Sequence, residues 1–502
     1  MYKLSLFFIL ISNFVFTQKS LDVVPYSLAN QIKVDFPQVD FPQVDLEKLL
    51  IEDEARENWK PYRYGKIFEV DYNFNNSGSW EPTKDGGRLW RLSIRSEGAY
   101  AISIEFDNFV LEEGSHLFVY DRDYEMILGA YTEINNHTTK EFATPLLKGD
   151  IAVIEFYEPS NSNNISTFRI NKVIHDYRDI MNFYNEDRDW ECGVNVICET
   201  EEVFQGPIDA VAYLDMGGWI CSGAMVNNVN FDLTPYFLTA WHCTLGENPS
   251  TFRFYFNKEA SSCESTWGSA GPYAYSSTQI ADAGSMDSDW ALLLITDDIE
   301  DDWDVYYAGW DVAGNVTSIS SNIHHPGGDP KKINYDDDNA TSHNSTVNWG
   351  AGYGTAPPHT YWKVFWDEGG TEGGSSGSPL YDNNFRIVGP LSGGNSDDCV
   401  GGYSLYGKLS RGWEGDEPNS RLKDWLDPDD TNTLYIDGTY DGFQYTLGDI
   451  NYDEEINIYD VIELINIILT GEASQESLLP ADLNEDGNIN IYDIISIVNL
   501  II

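Results

Sequence analysis

Gly373-Gly374-Ser375-Ser376-Gly377-Ser378-Pro379-Leu380 places one hydroxyl, that of Ser376, between glycines that let the backbone turn tightly. Such a turn can aim the N–H groups of Gly374 and Ser376 at a single point, as an oxyanion hole must. Two further motifs lie upstream. Leu238-Thr239-Ala240-Trp241-His242-Cys243 reads as an apolar strand ending in a histidine beside a cysteine, and Asp289-Trp290-Ala291-Leu292-Leu293-Leu294 as an aspartate entering a buried strand. Acyl transfer at a peptide bond needs a nucleophile, a base for its proton and a carboxylate that fixes the tautomer of the base. Ser376, His242 and Asp289 supply those three groups in the order His, Asp, Ser, one of the known triad orders. Taken singly each motif is weak, because Gly-Ser stretches are usually loops and the chain holds 82 acidic residues. Asp282 and Asp287 are alternatives to Asp289, but only Asp289 abuts the strand that would hold a carboxylate rigid.

The chain has 502 residues, enough for roughly three domains, and 15 Trp, 31 Tyr and 24 Phe exclude a largely disordered chain. Its net charge of −53 excludes nucleic-acid binding, which needs Lys and Arg against phosphate, and docking on an anionic membrane. Lys3, the apolar run Leu4 to Phe16 and polar Thr17 onward form a secretory signal pattern, with residues 1–17 removed on export. No later stretch is long enough to span a membrane, so the expected location is extracellular. Export makes disulfides of the six cysteines Cys192, Cys198, Cys221, Cys243, Cys263 and Cys399. Spacing does not choose their pairing, and zinc-ligand spacing is missing.

Residues 18 to about 60 read as a linker, with the tandem repeat Phe36-Pro37-Gln38-Val39-Asp40 and Phe41-Pro42-Gln43-Val44-Asp45, then a helical pattern from Leu46 to Asn58. From Arg88 to Phe156, short period-two runs separated by Gly, Asn and Asp predict an antiparallel β-sandwich. Residues 189 to about 440 are rich in short strands, closed by an amphipathic segment from Ser420 to Leu426, and Asp429 to Thr446 reads as a second linker.

This central region resembles the trypsin-like serine proteases, and among them the bacterial lysyl endopeptidases. The resemblance rests on Cys192-Gly193-Val194-Asn195-Val196-Ile197-Cys198, Ala308-Gly309-Trp310-Asp311, Ile323-His324-His325-Pro326, Trp349-Gly350, Gly374 to Pro379, and Asp424-Trp425-Leu426-Asp427-Pro428. It implies a double six-stranded β-barrel with the triad in the cleft between barrels. It also implies the disulfides Cys192–Cys399, Cys198–Cys263 and Cys221–Cys243. Many trypsin-like enzymes carry an aspartate just before the nucleophile that pairs with a new N-terminus. Here that position is Ser375, so the switch is not expected. The resemblance places the substrate pocket at Ser392, Gly393, Gly394 and Ser404. The family's lysine-binding aspartate corresponds to Ser404, before Tyr406-Gly407, and a family histidine stacked on the Trp matching Trp349 corresponds to Ser392. A lysine ammonium desolvated against Ser404 would lack a counter-charge at a cost of several kcal/mol, so lysine preference is not expected. His324 and His325 are expected to be structural.

The last part of the chain is a duplication with an offset of 33 residues. Oxygen side chains recur at loop positions 1, 3, 5, 9 and 12: Asp449, Asn451, Asp453, Asn457 and Asp460, then Asp482, Asn484, Asp486, Asn490 and Asp493. With the position-7 carbonyls of Glu455 and Asn488, each set suits Ca²⁺. The repeats resemble type I dockerin modules, which implies a paired loop–helix fold that binds a cohesin-like protein. The sharp-turn position holds Gly487 in the second loop but Glu454 in the first, which predicts weaker calcium binding there.

The expected architecture is mainly β. A signal peptide spans 1–17, a pro-region with a β-sandwich 18–188, a trypsin-like double-barrel protease domain 189–443, and a small α-helical, dockerin-like calcium-binding domain 446–502. The expected function is that of a secreted serine endopeptidase, made as a zymogen, acting on protein or peptide substrates and tethered by its C-terminal module. The rivals are a non-catalytic adhesion or scaffold protein on the same fold, and an esterase or peptide transferase.

Overall fold

The structure is a computed structural model that describes residues 23–32, 36–56, 60–160, 165–184, 193–199, 201–265, 267–395, 402–415, 417–441, 447–451, 455–470, 479–484 and 488–501. The proposed signal segment, Cys192, Cys399, Asp453, Asp486, Glu454 and Gly487 lie outside them.

The alternating runs form two packed sheets. One orders Gln38–Asp40, Arg88–Arg95, Ile151–Glu158, His116–Tyr120 and Ile127–Tyr131. The other orders Leu147–Lys148, Ala101–Val110, Thr167–Asp176 and Gly65–Asn73. Inward residues of both make one aromatic core in which Phe74 meets Trp90 edge-on at 5.4 Å and Phe168 at 4.4 Å.

The segment expected to be a linker is instead part of this sandwich. Both phenylalanines of its tandem repeat find cover: Phe36 lies under the Arg91 guanidinium, and Phe41 stacks on Phe68 at 4.8 Å. Gln38–Asp40 between them pairs in parallel with Ser93, Ile94 and Arg95. The expected helix is observed as Leu46–Glu54, with the Asp45 side chain accepting from the N–H of Lys48.

Residues from 193 onward form two half-barrel sheets. The first joins Tyr273–Tyr275, Arg253–Tyr255, Val211–Asp215, Trp219–Met225, Tyr236–Thr239, Ala291–Ile295 and Ser277–Asp282. Its eighth strand, Tyr62–Arg63, comes from the N-terminal region. The second is ten-stranded and includes Lys332–Asp336, Ser320–His324, Pro379–Tyr381, Ile387–Gly394, Ser404–Gly407 and Tyr361–Val364. Both exceed the six strands implied by the resemblance, and two-residue pairings at their margins are among the additions. One of these corrects the second linker. Tyr435–Ile436 pairs with Trp310–Asp311 and buries Ile436, so the chain to at least Thr439 belongs to this domain. The expected segment from Ser420 to Leu426 is only one helical turn, Lys423–Leu426, after a 3₁₀ turn at Pro418–Ser420.

The sandwich and the first half-barrel share one core. Tyr213, Ile220, Tyr255, Tyr273 and Tyr275 pack into the sandwich cluster. At its centre the fully buried Arg253 binds Asp215 through Nε and Nη2 and donates to the carbonyl of Thr144 on the sandwich at 3.0 Å. Tyr64 donates to the same Asp215 at 2.8 Å. At the C-terminus, Ile458–Thr470 and Ile491–Ile501 pack as a helix pair around Leu464 and Ile497.

Candidate active site and calcium loops

Three local conformations bring the sequence motifs together. The strand Tyr236–Thr239 leads into a single turn, Trp241–Thr244, that carries His242, and Cys221–Cys243 fastens this turn to the neighbouring strand. Ser288 and Asp289 both adopt left-handed backbone conformations just before the buried strand Ala291–Ile295. That turn points the Asp289 carboxylate back at the histidine. Asp289 Oδ2 lies 2.8 Å from His242 Nδ1, and Oδ1 accepts the His242 backbone N–H at 3.0 Å. Both side chains are completely buried; one carboxylate oxygen orients the imidazole and the other ties down the backbone of the same residue. Asp287 is instead taken up by Arg411, and Asp282 by Gln279 and the N–H of Gly284.

The Ser376 loop is built from opposed constraints. Gly374 and Gly377 have φ of +96° and +82°, the region that favours glycine. The N–H of Ser222 donates to the Ser376 carbonyl at 2.8 Å, and the Ser222 hydroxyl to that of Gly374 at 2.9 Å. A Cβ on Gly377 would sit 2.1 Å from Thr239 Oγ1 and 2.9 Å from the Ala240 nitrogen. The loop is therefore seated on the residues that lead directly into His242.

Ser375 shows what replaces an aspartate at this position. Its hydroxyl accepts from the N–H of Glu372 at 3.2 Å, which leaves its own proton for His324 Nδ1 at 2.7 Å. His324 Nε2 then donates to Asn334 Oδ1. Burial pushes the His324 imidazole down to about 3, so the ring is neutral and the direction of this chain is fixed. Asn322 extends the support, donating to Ser378 Oγ at 2.8 Å and the Pro379 carbonyl at 2.9 Å. Sequence reading places His324 as structural and does not single out Asn322 or Asn334. An isolated asparagine in a strand carries no pattern that would betray it.

The expected pocket residues lie on adjoining strands, Ile387–Gly394 and Ser404–Gly407. Ser404 is buried and its hydroxyl bonds Trp366 Nε1 at 3.0 Å and Thr371 Oγ1 at 2.8 Å, a neutral polar set. The buried Ser392 hydroxyl has no hydrogen-bond partner among the described residues. Gly393 and Gly394 sit at a bulge, and a Cβ on Gly394 would strike the Tyr403 carbonyl at 2.1 Å. Trp349 donates to the Tyr361 hydroxyl at 2.9 Å. Cys198–Cys263 is formed, whereas Cys192 and Cys399 lie outside the described residues.

In the C-terminal repeats Asp460 and Asp493 close their loops in matching ways. Asp460 accepts the N–H groups of Ile450, Asn451 and Asn457, and Asp493 those of Asn484 and Asn490. Both carboxylates are fully buried, and among the described residues no ion pair reaches either. Two buried carboxylates with no ion-pair partner among the described residues fit a hard cation.

Residues 187–405 match the family model described as lysyl endopeptidase, C-terminal domain, and residues 447–502 match the type I dockerin domain. A lysyl endopeptidase of Pseudomonas aeruginosa is 25% identical over 374 residues, covering 66% of this chain and 76% of that protein. Among solved structures, a Glu endopeptidase is similar at 17% identity, over 44% of this chain and 92% of that one, with a TM-score of 0.30. The MamO protease domain of Magnetospirillum magneticum is similar at 12% identity, over 40% of this chain and 94% of that one, with a TM-score of 0.27. Through its centre the chain is lysyl endopeptidase-like, and it ends in a type I dockerin module, a calcium-binding kind of domain.

Proposed function

We propose that this protein is a secreted serine endopeptidase that hydrolyses peptide bonds through an acyl-enzyme and is tethered by its C-terminal module. The observation that carries this reading is the buried His242–Asp289 pair beside the seated Ser376 loop. In this reading His242 takes the Ser376 proton as the hydroxyl attacks the carbonyl, then delivers it to the departing amine. Asp289 holds the imidazole and stabilises its protonated form. The N–H groups of Gly374 and Ser376 receive the developing oxyanion, an interaction worth roughly 3–4 kcal/mol per donor. Water then hydrolyses the ester by the same route.

The neutral surroundings of Ser404 favour a substrate side chain other than lysine. Residues 18–188 are the pro-region of this zymogen. The module at 446–502 would hold Ca²⁺ through Asp449, Asn451, Asp453, Asn457 and Asp460 with the Glu455 carbonyl, and through Asp482, Asn484, Asp486, Asn490 and Asp493 with that of Asn488. The ion supplies charge compensation that fastens each loop to its helix. Ile458, Tyr459, Ile491 and Tyr492 are all more than half exposed, and this apolar surface suits a cohesin-like partner.

The test is Ser376→Ala. Secretion should persist, while protein cleavage and labelling by a fluorophosphonate are lost. Cleavage near the wild-type rate would sink the assignment. Cleavage profiling on a mixed peptide library should show no lysine requirement.

A further inference from the structure

We infer that residues 60–65 keep this protease latent by lying as an added β-strand where the leaving-group side of a peptide substrate would bind. The surface made by Trp219, Ile220 and Gly373 is thus a docking edge for an extended peptide, filled first from within the chain. This rests on the serine-endopeptidase reading above.

Tyr62 and Arg63 pair antiparallel with Ile220 and Trp219, and the N–H groups of Tyr64 and Gly65 both donate to the Gly218 carbonyl, at 3.0 and 3.1 Å. Two residues further along that barrel strand, Ser222 is bonded to both Ser376 and Gly374. At about 3.3 Å per residue, the added strand ends within roughly 7 Å of the nucleophile loop. The Tyr62 side chain rests on that loop, since a Cβ on Gly373 would lie 3.1 Å from its ring.

The antiparallel register carries the preceding residues, Pro61 and Lys60, towards Cys221 and Ser222. The Lys60 ammonium lies 5.8 Å from the Tyr353 ring, which meets Trp241, the neighbour of His242, edge-on at 6.3 Å. Lys60, Pro61 and Tyr62 share a cleft of about 360 Å³ with Glu372 and Gly373. The strand is therefore directed towards the nucleophile loop and the turn that carries His242.

Side chains of the N-terminal region fasten it. Arg63 binds Asp53 at 2.7 Å and the Leu49 carbonyl at 3.0 Å. Arg178 binds Asp53 at 2.6 Å and the Arg63 carbonyl at 3.0 Å, and its guanidinium covers the Tyr62 ring. Arg56 caps Trp219 at 4.2 Å. Backbone pairing at an open sheet edge gives affinity with little sequence demand, so the same edge suits the main chain of many protein substrates.

The test compares the uncut full chain with its Tyr62→Ala and Arg178→Ala variants. The second loosens the strand while leaving its own residues unchanged, and so reads out even if the first fails to fold. Initial rates are measured on quenched peptides extended on both sides of the cut, with fluorophosphonate labelling alongside. Cleavage should rise roughly tenfold in a variant, about what one or two strand hydrogen bonds are worth. Equal rates in all three chains, with the label reacting in each, would overturn the inference and leave the triad standing. Absence of label in all three, and after limited proteolysis of the N-terminal region, would overturn the triad reading and the inference with it.

Discussion

Around Ser376 the deciding residues are small and neutral. Ser375, His324, Asn334 and Asn322 do by hydrogen bonding what a single buried carboxylate could do by charge. This arrangement has a consequence for acid stability. The unfolded imidazole takes up a proton below about 6.5, whereas buried His324 does not until about 3. Stability is thus complete above the upper value and falls with pH through the window between them. Thermal melting at successive pH values should show the native chain losing stability relative to His324→Gln across that window, with no such difference above neutral pH. The proposed triad residues stood out in the sequence because each sits in a motif whose strand or turn is observed. The support beneath Ser375 did not, because its members are scattered singly over 320–334 and meet only when the strands pair.

At the scale of elements, the alternation of apolar and polar residues located the sandwich strands to within a few positions, since period two survives wherever one face is buried. What it missed were Gly65–Asn73 and Thr167–Asp176, which flank the window read as alternating, and strands of two or three residues at sheet margins. Gln38–Asp40, Tyr62–Arg63 and Tyr435–Ile436 are too short to show a period, and their burial depends on partners far along the chain. The tight seat between the Gly377 turn and the strand Tyr236–Thr239 yields a prediction at this scale. Gly377→Ala puts a methyl group where Thr239 Oγ1 and the Ser222 carbonyl stand, in a backbone conformation that alanine resists. The loop must shift relative to His242. A displacement of about 1 Å at a reacting centre costs on the order of a hundredfold in rate, so kcat/KM should fall by about that factor and the melting temperature should drop.

At the scale of the whole molecule, the duplicated C-terminal loops begin at Asp449, ten residues past the last strand pairing of the preceding domain at Thr439. Their buried Asp460 and Asp493 have no cationic side chain to compensate them among the described residues. Chelating calcium should unfold this module while sparing the rest. Calorimetry of the full chain in EDTA should lose or lower one transition, and peptide cleavage by the matured protease should stay within about twofold, because distant sites are nearly additive. A parallel loss of cleavage would mean that the module supports the catalytic domain directly.

If the chain is cut as proposed, the core shared by the sandwich and the first half-barrel bears on how the two parts could come apart. Severing the chain near residue 188 would cut only a covalent thread, leaving Arg253 clasped between Asp215 and Thr144 and four barrel tyrosines roofed by the sandwich. The nicked halves would remain a tight non-covalent pair. Unmasking would then be governed by how slowly the two halves part, or by how fast another protease consumes the discarded one, and the scission itself would set only the earliest moment at which either can begin.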